Sequence, residues 1–275
     1  RDRNRPGVIF WSLGNEEPMH VRPEGRRIAR ALRTIAKRLD PTRPVTTAQS
    51  VDPLHSTVLA DMDVIGVNYN IEHYDELHKM YPDKPFFSSE CCATGTTRGW
   101  YLDDCPARGY IDGYDRRSNS WFRGREETWQ WFMAREYVCG GYQWAGIEHR
   151  GETTWPRLCS QSGAIDLYLN RKDAFWQNQS HWTDRPMVHI LPHWNLSGRE
   201  GEPVRVSVYT NCDSVELFQD GRSMGAQAVE PFGHVEWRLI YNPGCVRAVG
   251  YKNGEPAAEE TVETTGKAVA LRLKL

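Results

Sequence analysis

Hydrophobic residues in the first two thirds of the chain fall into short continuous runs, separated by stretches in which they recur at helical spacing. A continuous apolar run predicts a strand that is buried on both faces. After Pro23, a residue favoured in the first helical turn, Ile28, Leu32 and Ile35 predict one apolar helix face. The predicted strands are 8–13, 45–48, 63–69, 86–89 and 140–144, and the predicted helices are 23–39, 72–80, 126–138 and one beginning near 173. Alternating strands and helices predict a parallel α/β sheet.

The pattern changes after about residue 186, where apolar and polar residues alternate with a period of two. The turn sequences DG, NPG and NG separate the alternating segments, which are 204–209, 215–218, 235–239 and 246–251. Short strands with little helix predict a β-sandwich. Its expected core residues are Val206, Val208, Leu217, Trp237 and Val249. We therefore expect two domains, residues 1–186 and residues 187–275.

Two of the apolar runs end in a carboxylate. Residues 10–16 read FWSLGNE and residues 85–90 read PFFSSE, so Glu16 and Glu90 each follow a predicted buried strand. In a parallel α/β barrel, active sites are built at the carboxyl ends of the strands. Two glutamates at that end predict a carboxylate pair, which is the pair of catalytic groups that a glycoside hydrolase uses.

Four motifs, in chain order, resemble those of glycoside hydrolase family 2, the family of β-galactosidases, β-glucuronidases and β-mannosidases. The first resembles its acid/base motif, the second the nucleophile strand of a β-galactosidase-like branch, and the third its last barrel strand. The fourth resembles its exit into a C-terminal immunoglobulin-like domain. In order, they are WSLGNE at 11–16; SSE at 88–90 with TTRG at 96–99; GGYQWAG at 140–146 with RGE at 150–152; and DRPMVHILPHWN at 184–195.

This resemblance implies a fold of class α/β plus all-β. The family's acid/base glutamate ends the fourth strand of a TIM (β/α)8 barrel, and here that residue is number 16. Residues 1–186 are then expected to be a partial catalytic barrel with strands 4–8, and residues 187–275 an immunoglobulin-like β-sandwich. The resemblance also implies an N-terminal part of a longer parent chain. We expect little or no activity from these 275 residues alone.

The resemblance further implies the roles of five side chains in a retaining, two-step displacement. Glu90 is expected to be the nucleophile and Glu16 the acid/base, with their carboxyl groups ~5–5.5 Å apart. Tyr69 is expected to donate a hydrogen bond to the nucleophile, Asn15 to bind the sugar 2-hydroxyl, and Trp144 to form an apolar platform under the sugar. The family also has a cis peptide bond after this tryptophan. Desolvation or a nearby charge is expected to raise the pKa of the acid.

Several alternatives remain open at this stage. The expected activity is that of a β-galactosidase, with a β-galactoside as substrate. The alternatives are a β-glucuronidase or β-mannosidase of the same family, or a non-catalytic carbohydrate-binding or assembly fragment. Asn170 and Lys172 fit the Asn-x-Lys triplet of β-glucuronidases, although at another place in the chain. The long connection 94–121 follows the nucleophile strand and is predicted to lie over the site.

Composition excludes some partners and leaves others open. A net charge of −2 gives no reason to expect nucleic acid or an anionic membrane surface, and no apolar run reaches the ~18 residues of a transmembrane helix. The seven cysteines lack Cys-x-x-Cys spacing, and His55, His73 and His78 lack a recognisable ligand pattern. We expect no cofactor and no metal ion, with metal assistance left open. The compartment (periplasm, secretion or cytoplasm) and the oligomeric state are not determined.

Overall fold

The computed structural model describes residues 1–116, 118–153 and 155–273. These residues form two compact units, and each unit is assembled from more than one part of the chain. The first comprises residues 1–95, 115–148 and 161–163, and the second residues 96–114, 149–160 and 164–275.

The first unit is built on a five-stranded sheet in which every neighbouring pair is parallel. Its strands, which lie side by side in chain order, are β1 (Trp11–Asn15), β2 (Val45–Gln49), β3 (Ile65–Asn68), β4 (Phe86–Cys91) and β5 (Val138–Gln143). Its helices are α1 (Pro23–Leu39), α2 (Tyr74–Met80) and α3 (Arg125–Met133). The predicted parallel alternation of strand and helix is confirmed.

Two predicted boundaries are wrong by three residues or more. The first strand begins at Trp11 rather than at residue 8, because its pairing with β2 starts where Trp11 faces Val45. The helix predicted to reach residue 138 ends at Met133, and Val138 is the first residue of β5.

Close packing in the centre of the sheet depends on Gly66. All residues of β2 and β3 are buried. A Cβ atom on Gly66 would collide with the backbone oxygen of Thr47 and would lie 2.9 Å from Cε1 of Phe87. Glycine is therefore the residue that lets β3 approach its neighbours this closely.

Helix α1 buries less apolar surface than its sequence predicts. Gly25 and Ala29 are its buried residues, and Ala29 packs against the cluster formed with β2. By contrast, Ile28, Leu32 and Ile35 stay 40–45% exposed. The opposite, basic face of the helix is tied down by ion pairs, for example from Arg26 and Arg30 to Asp61.

The second unit contains helix α4 (Asp173–Trp182) and two antiparallel sheets. One sheet has the strand order β10-β7-β6 and the other the order β12-β11-β8-β9. The strands are β6 (Val188–Leu191), β7 (Pro203–Thr210), β8 (Ser214–Gln219), β9 (Arg222–Ala228), β10 (His234–Ile240), β11 (Cys245–Lys252) and β12 (Glu255–Glu263). The predicted change to antiparallel strands is confirmed, whereas β6, β9 and β12 were not predicted.

Four of the five expected core residues belong to one buried cluster in this unit, namely Val206, Val208, Leu217 and Trp237. Val249 is buried but lies outside that cluster, and Ala248 takes part in it instead. Successive side chains of a strand point to opposite faces, so the prediction placed the inward register of β11 one residue too late.

The long connection after β4 is divided between the two units. Residues 96–114 pack within the second unit, where Tyr114 contacts the cluster of Leu191 and Tyr209. Residues 115–122 belong to the first unit. The connection therefore belongs to both units rather than to one.

The described residues include neither a membrane-crossing helix nor a metal-binding group of side chains. None of the helices has both the length and the hydrophobicity needed to cross a membrane. Within 1–116, 118–153 and 155–273, no three or more His, Cys, Asp or Glu side chains are grouped so that they could hold a metal ion.

Candidate active site

The carboxyl ends of β1, β3 and β4 bring together most of the predicted site residues. Glu16 directly follows β1, and its backbone N–H donates to the Ala48 carbonyl at 2.9 Å. In the pairing of β3 with β4, Asn68 is the register partner of Glu90. The backbone N–H of Tyr69 then donates to the Glu90 carbonyl at 2.7 Å. Parallel pairing therefore places the strand-end side chains at one edge of the sheet.

The backbone is strained at this edge. Glu16, Tyr69 and Cys92 have φ values of 55°, 53° and 57°, in the left-handed region that side-chain-bearing residues rarely adopt. Each such residue costs on the order of 1–3 kcal/mol, and such residues cluster at functional sites. Here they occur where three strands of the first unit turn out of the sheet, next to both glutamates.

Asn68 connects the two sides of the site. Its side chain is fully buried, and its Nδ2 donates to Oε1 of Glu16 at 3.0 Å and to Oδ1 of Asn15 at 3.1 Å. Its Oδ1 accepts a hydrogen bond of 2.5 Å from the hydroxyl of Ser89, the neighbour of Glu90. All polar groups of this carboxamide are therefore used, and the bond from Ser89 orients its N–H groups towards Glu16.

Tyr69 holds the second carboxylate. Its hydroxyl donates to Oε2 of Glu90 at 3.1 Å, and the tyrosine is 8% exposed. Burial first, and then the negative charge of Glu90, raise the pKa of the Tyr69 phenol well above its usual range. The phenol is therefore a neutral donor that favours the ionised form of Glu90.

The two glutamates interact electrostatically. Burial raises the pKa of Glu90, the hydrogen bond from Tyr69 lowers it, and the charge of Glu16 raises it again, with a net upward shift. The upward shift therefore falls on Glu90, the predicted nucleophile, whereas it was expected at the acid. One ionised and one protonated carboxyl group can act as nucleophile and proton donor.

The other two predicted residues, Asn15 and Trp144, also lie at the carboxyl ends of strands of this sheet. Asn15, the last residue of β1, is exposed and accepts the hydrogen bond from Asn68 described above. Trp144 directly follows β5, and its backbone N–H donates to the carbonyl of Cys91 at 2.8 Å. Its peptide bond to Ala145 is cis, as the resemblance implied.

Sequence reasoning missed three residues of this region: Asn68, Ser89 and Trp121. Asn68 is a polar residue at the end of a buried strand, which is the same signal that identified Glu16 and Glu90. Ser89 lies inside a recognised motif without an obvious role. Trp121 had no local signal, yet its ring meets that of Tyr69 edge-on, with centroids 5.0 Å apart.

Comparison with known proteins matches both parts of the chain. A family model described as the TIM barrel domain of glycosyl hydrolases family 2 matches residues 1–105. A second model, described as a domain of unknown function (DUF4982), matches residues 201–258.

Individual relatives match nearly the whole chain. β-Galactosidase BoGH2A of Bacteroides ovatus is 30% identical over 99% of this chain and 38% of its own length. A β-glucuronidase of Formosa agariphila is 24% identical over 98% of this chain and 27% of its own length. Among solved structures, a β-glycosidase from Bacteroides vulgatus superposes with a TM-score of 0.82, at 31% identity, over 97% of this chain and 38% of that chain. The chain thus spans well under half the length of the relatives it matches.

Proposed function

The chain belongs to glycoside hydrolase family 2, and on that premise we propose that the protein containing it is a retaining β-glycoside hydrolase that acts on β-galactosides. The observation that carries the proposal is the pair of held carboxylates. Glu16 accepts a hydrogen bond from Asn68, and Glu90 accepts one from Tyr69, at neighbouring strand ends. Two carboxyl groups that flank the scissile bond are what a double displacement requires.

In the proposed first step, an oxygen of the Glu90 carboxylate attacks the anomeric carbon, while the carboxylic acid of Glu16 gives its proton to the leaving oxygen. The glycosidic bond breaks, and a glycosyl ester forms on Glu90. In the second step, the Glu16 carboxylate takes a proton from water, whose oxygen attacks the anomeric carbon and releases Glu90. Two inversions leave the β configuration unchanged.

The electrostatic interaction between Glu16 and Glu90 supports these roles of acid/base and nucleophile. Burial first, and the negative charge of Glu16 in addition, raise the pKa of Glu90. Protonated Glu16, the form needed for the first step, lacks that charge. The phenol of Tyr69 then favours the ionised nucleophile.

The finer assignments belong to the same proposal. Strands β1–β5 correspond to strands 4–8 of a (β/α)8 barrel, and residues 187–275 to an immunoglobulin-like sandwich after the barrel domain. Asn15 binds the sugar 2-hydroxyl, and Trp144 provides its apolar platform. Asn15 is the last residue of β1 and directly precedes Glu16. Trp144 directly follows β5, which neighbours the strand that carries Glu90.

The contacts and burial of the Asn-x-Lys triplet support the choice of galactosides over glucuronides. The Asn170 carboxamide donates to both carboxylate oxygens of Asp166, at 3.2 and 3.1 Å. Lys172 is 1% exposed. Within the second unit these side chains have structural partners or are buried, so they are poorly suited to reading a substrate carboxylate.

The proposal is tested by trapping the intermediate on the protein that contains this chain. A 2-deoxy-2-fluoro-β-galactoside with a good leaving group is expected to label one peptide, with the sugar esterified to Glu90, as mass spectrometry would show. Glu90→Gln should abolish both labelling and turnover of 4-nitrophenyl β-galactoside. Label on another residue would refute the assignment of the nucleophile.

A substrate panel tests the sugar. We expect turnover of the nitrophenyl β-galactoside to exceed that of the β-glucuronide and β-mannoside. Faster hydrolysis of the glucuronide would establish the alternative activity. No turnover of any member by the intact protein would favour a carbohydrate-binding role.

A further inference from the structure

Trp121 is an exposed aromatic side chain next to the carboxylate site. Its indole is 49% exposed and meets the ring of Tyr69 edge-on, with an interplanar angle of 87°. Tyr69 is the residue whose hydroxyl donates to Glu90. The exposed indole therefore lies beside a residue that holds one of the two site carboxylates.

The backbone that carries Trp121 is held firmly. The carboxamide oxygen of Asn119 accepts hydrogen bonds from the N–H groups of Trp121 and Phe122, at 2.9 and 3.0 Å. The hydroxyl of Ser118 accepts a further bond from Gly124 at 3.2 Å. The indole is therefore presented by a turn with its own hydrogen bonds.

This turn is also anchored to the rest of the first unit. Arg123 pairs with Glu127 of α3 at 3.3 Å and lies 3.9 Å from Glu72, which follows β3. The anchor to Glu72 comes from the same chain segment that carries Tyr69, three residues earlier. The position of the indole relative to the site is thus set by contacts on both sides.

The indole has the two features that carbohydrate recognition uses. Its faces are broad and apolar, and its Nε1–H makes no hydrogen bond to any part of the chain that the structure describes. Tryptophan at an interface typically combines apolar contact with one directed donor. We propose that Trp121 is the platform of a sugar-binding subsite, which stacks on the apolar face of a pyranose and donates Nε1–H to one of its hydroxyls.

This subsite rests on the proposed function, because it extends the site at which a glycoside is cleaved. The pyranose it takes is either the transferred sugar or the sugar that leaves. Both have the same chemistry, and substrates separate them. A β-galactosyl fluoride carries no leaving-group sugar, whereas a β-linked disaccharide carries both.

The test compares Trp121→Ala with the unmodified protein on the disaccharide and on the fluoride. We expect kcat/KM for the disaccharide to fall at least tenfold. A larger fall on the disaccharide than on the fluoride identifies the leaving-group sugar as the occupant, and equal falls identify the transferred sugar. Trp121→Phe, which keeps an aromatic face and loses the donor, should recover part of the loss.

Two controls keep the proposal falsifiable. Trp182→Ala removes another tryptophan, 59% exposed at the end of α4, and should leave both substrates unaffected. If Trp121→Ala hydrolyses the disaccharide as fast as the parent, the subsite is refuted while the hydrolase stands.

Binding separates failure of the subsite from failure of the hydrolase. Disaccharide affinity is measured by calorimetry on Glu90→Gln, with and without Trp121→Ala. We expect at least a fivefold weakening when Trp121 is removed, whether or not the intact protein cleaves any glycoside. Equal affinity of the two variants would overturn the proposal.

Discussion

Replacing Asn68 should impair the acid, Glu16, and should also remove a hydrogen bond from Glu90. Asn68→Ala removes the 3.0 Å bond to Glu16 and the 3.1 Å bond to Asn15, and it leaves the Ser89 hydroxyl without its acceptor. A hydrogen bond to a charged group contributes about 1.5–3 kcal/mol. If that contribution is lost from the transition state, kcat/KM falls roughly ten- to 150-fold. Full burial of Asn68 places the result towards the upper end.

The assay is the dependence of kcat/KM on the leaving group, measured on the intact protein. Poor leaving groups need the proton of Glu16 and should show the full loss, whereas good ones such as dinitrophenolate should lose much less. Asn68→Asp keeps the size and the bond from Ser89 but replaces the donor by a charge. It should show the same selective loss on poor leaving groups, because a carboxylate at this position cannot donate a hydrogen bond to Glu16.

Thr46→Val is the matched control, since Thr46 is equally buried and its hydroxyl donates to the Val64 carbonyl at 2.9 Å, inside the sheet. It should lower stability without changing the leaving-group dependence. An equal loss on good and poor leaving groups in Asn68→Ala would show a general structural defect. Unchanged rates on poor leaving groups would refute the positioning of Glu16 by Asn68.

Three further predictions concern stability. Gly66→Ala should lower the free energy of unfolding by about 1–3 kcal/mol in urea titrations, because its Cβ has no room in the sheet; an unchanged midpoint would contradict this packing. Burial lowers the pKa of His189, but its bonds to Asp173 and Glu260 prevail and raise it to about 9. Its stabilisation is therefore complete below the unfolded value of 6.5 and lost as pH rises through about 9. His189→Gln should flatten that dependence of the melting temperature between pH 6.5 and 9, and an unaltered slope would refute it. Residues 187–275, expressed alone, should show a cooperative unfolding transition in circular dichroism, whereas a featureless melt would contradict the predicted domain boundary.

The sequence alone determined the elements whose signals are local. Helix α1 runs from Pro23 to Leu39 as predicted, because its first-turn proline, its helical periodicity and the Asp40-Pro41 stop lie within one segment. The central strands were equally predictable, since a continuous apolar run of this length is typical of a buried strand. Glu16 and Glu90 were found for the same reason, as polar residues directly after such runs.

Elements without a local signal were missed. Strand β9 (Arg222–Ala228) is largely exposed and lacks a regular apolar alternation, and it forms because β8 offers an edge for backbone hydrogen bonds. The inward register of β11 was placed one residue late, because alternation predicts two faces but not which of them meets the core.

Only the tertiary structure decided how the site is held together. The bond from Asn68 to Glu16 spans 52 residues, and the bond from Tyr69 to Glu90 spans 21. Trp121 reaches Tyr69 from a turn that no periodicity describes. Local patterns decide where strands end, whereas the pairing of parallel strands decides which of those ends meet, and a hydrogen bond between distant residues exists only once that pairing has formed.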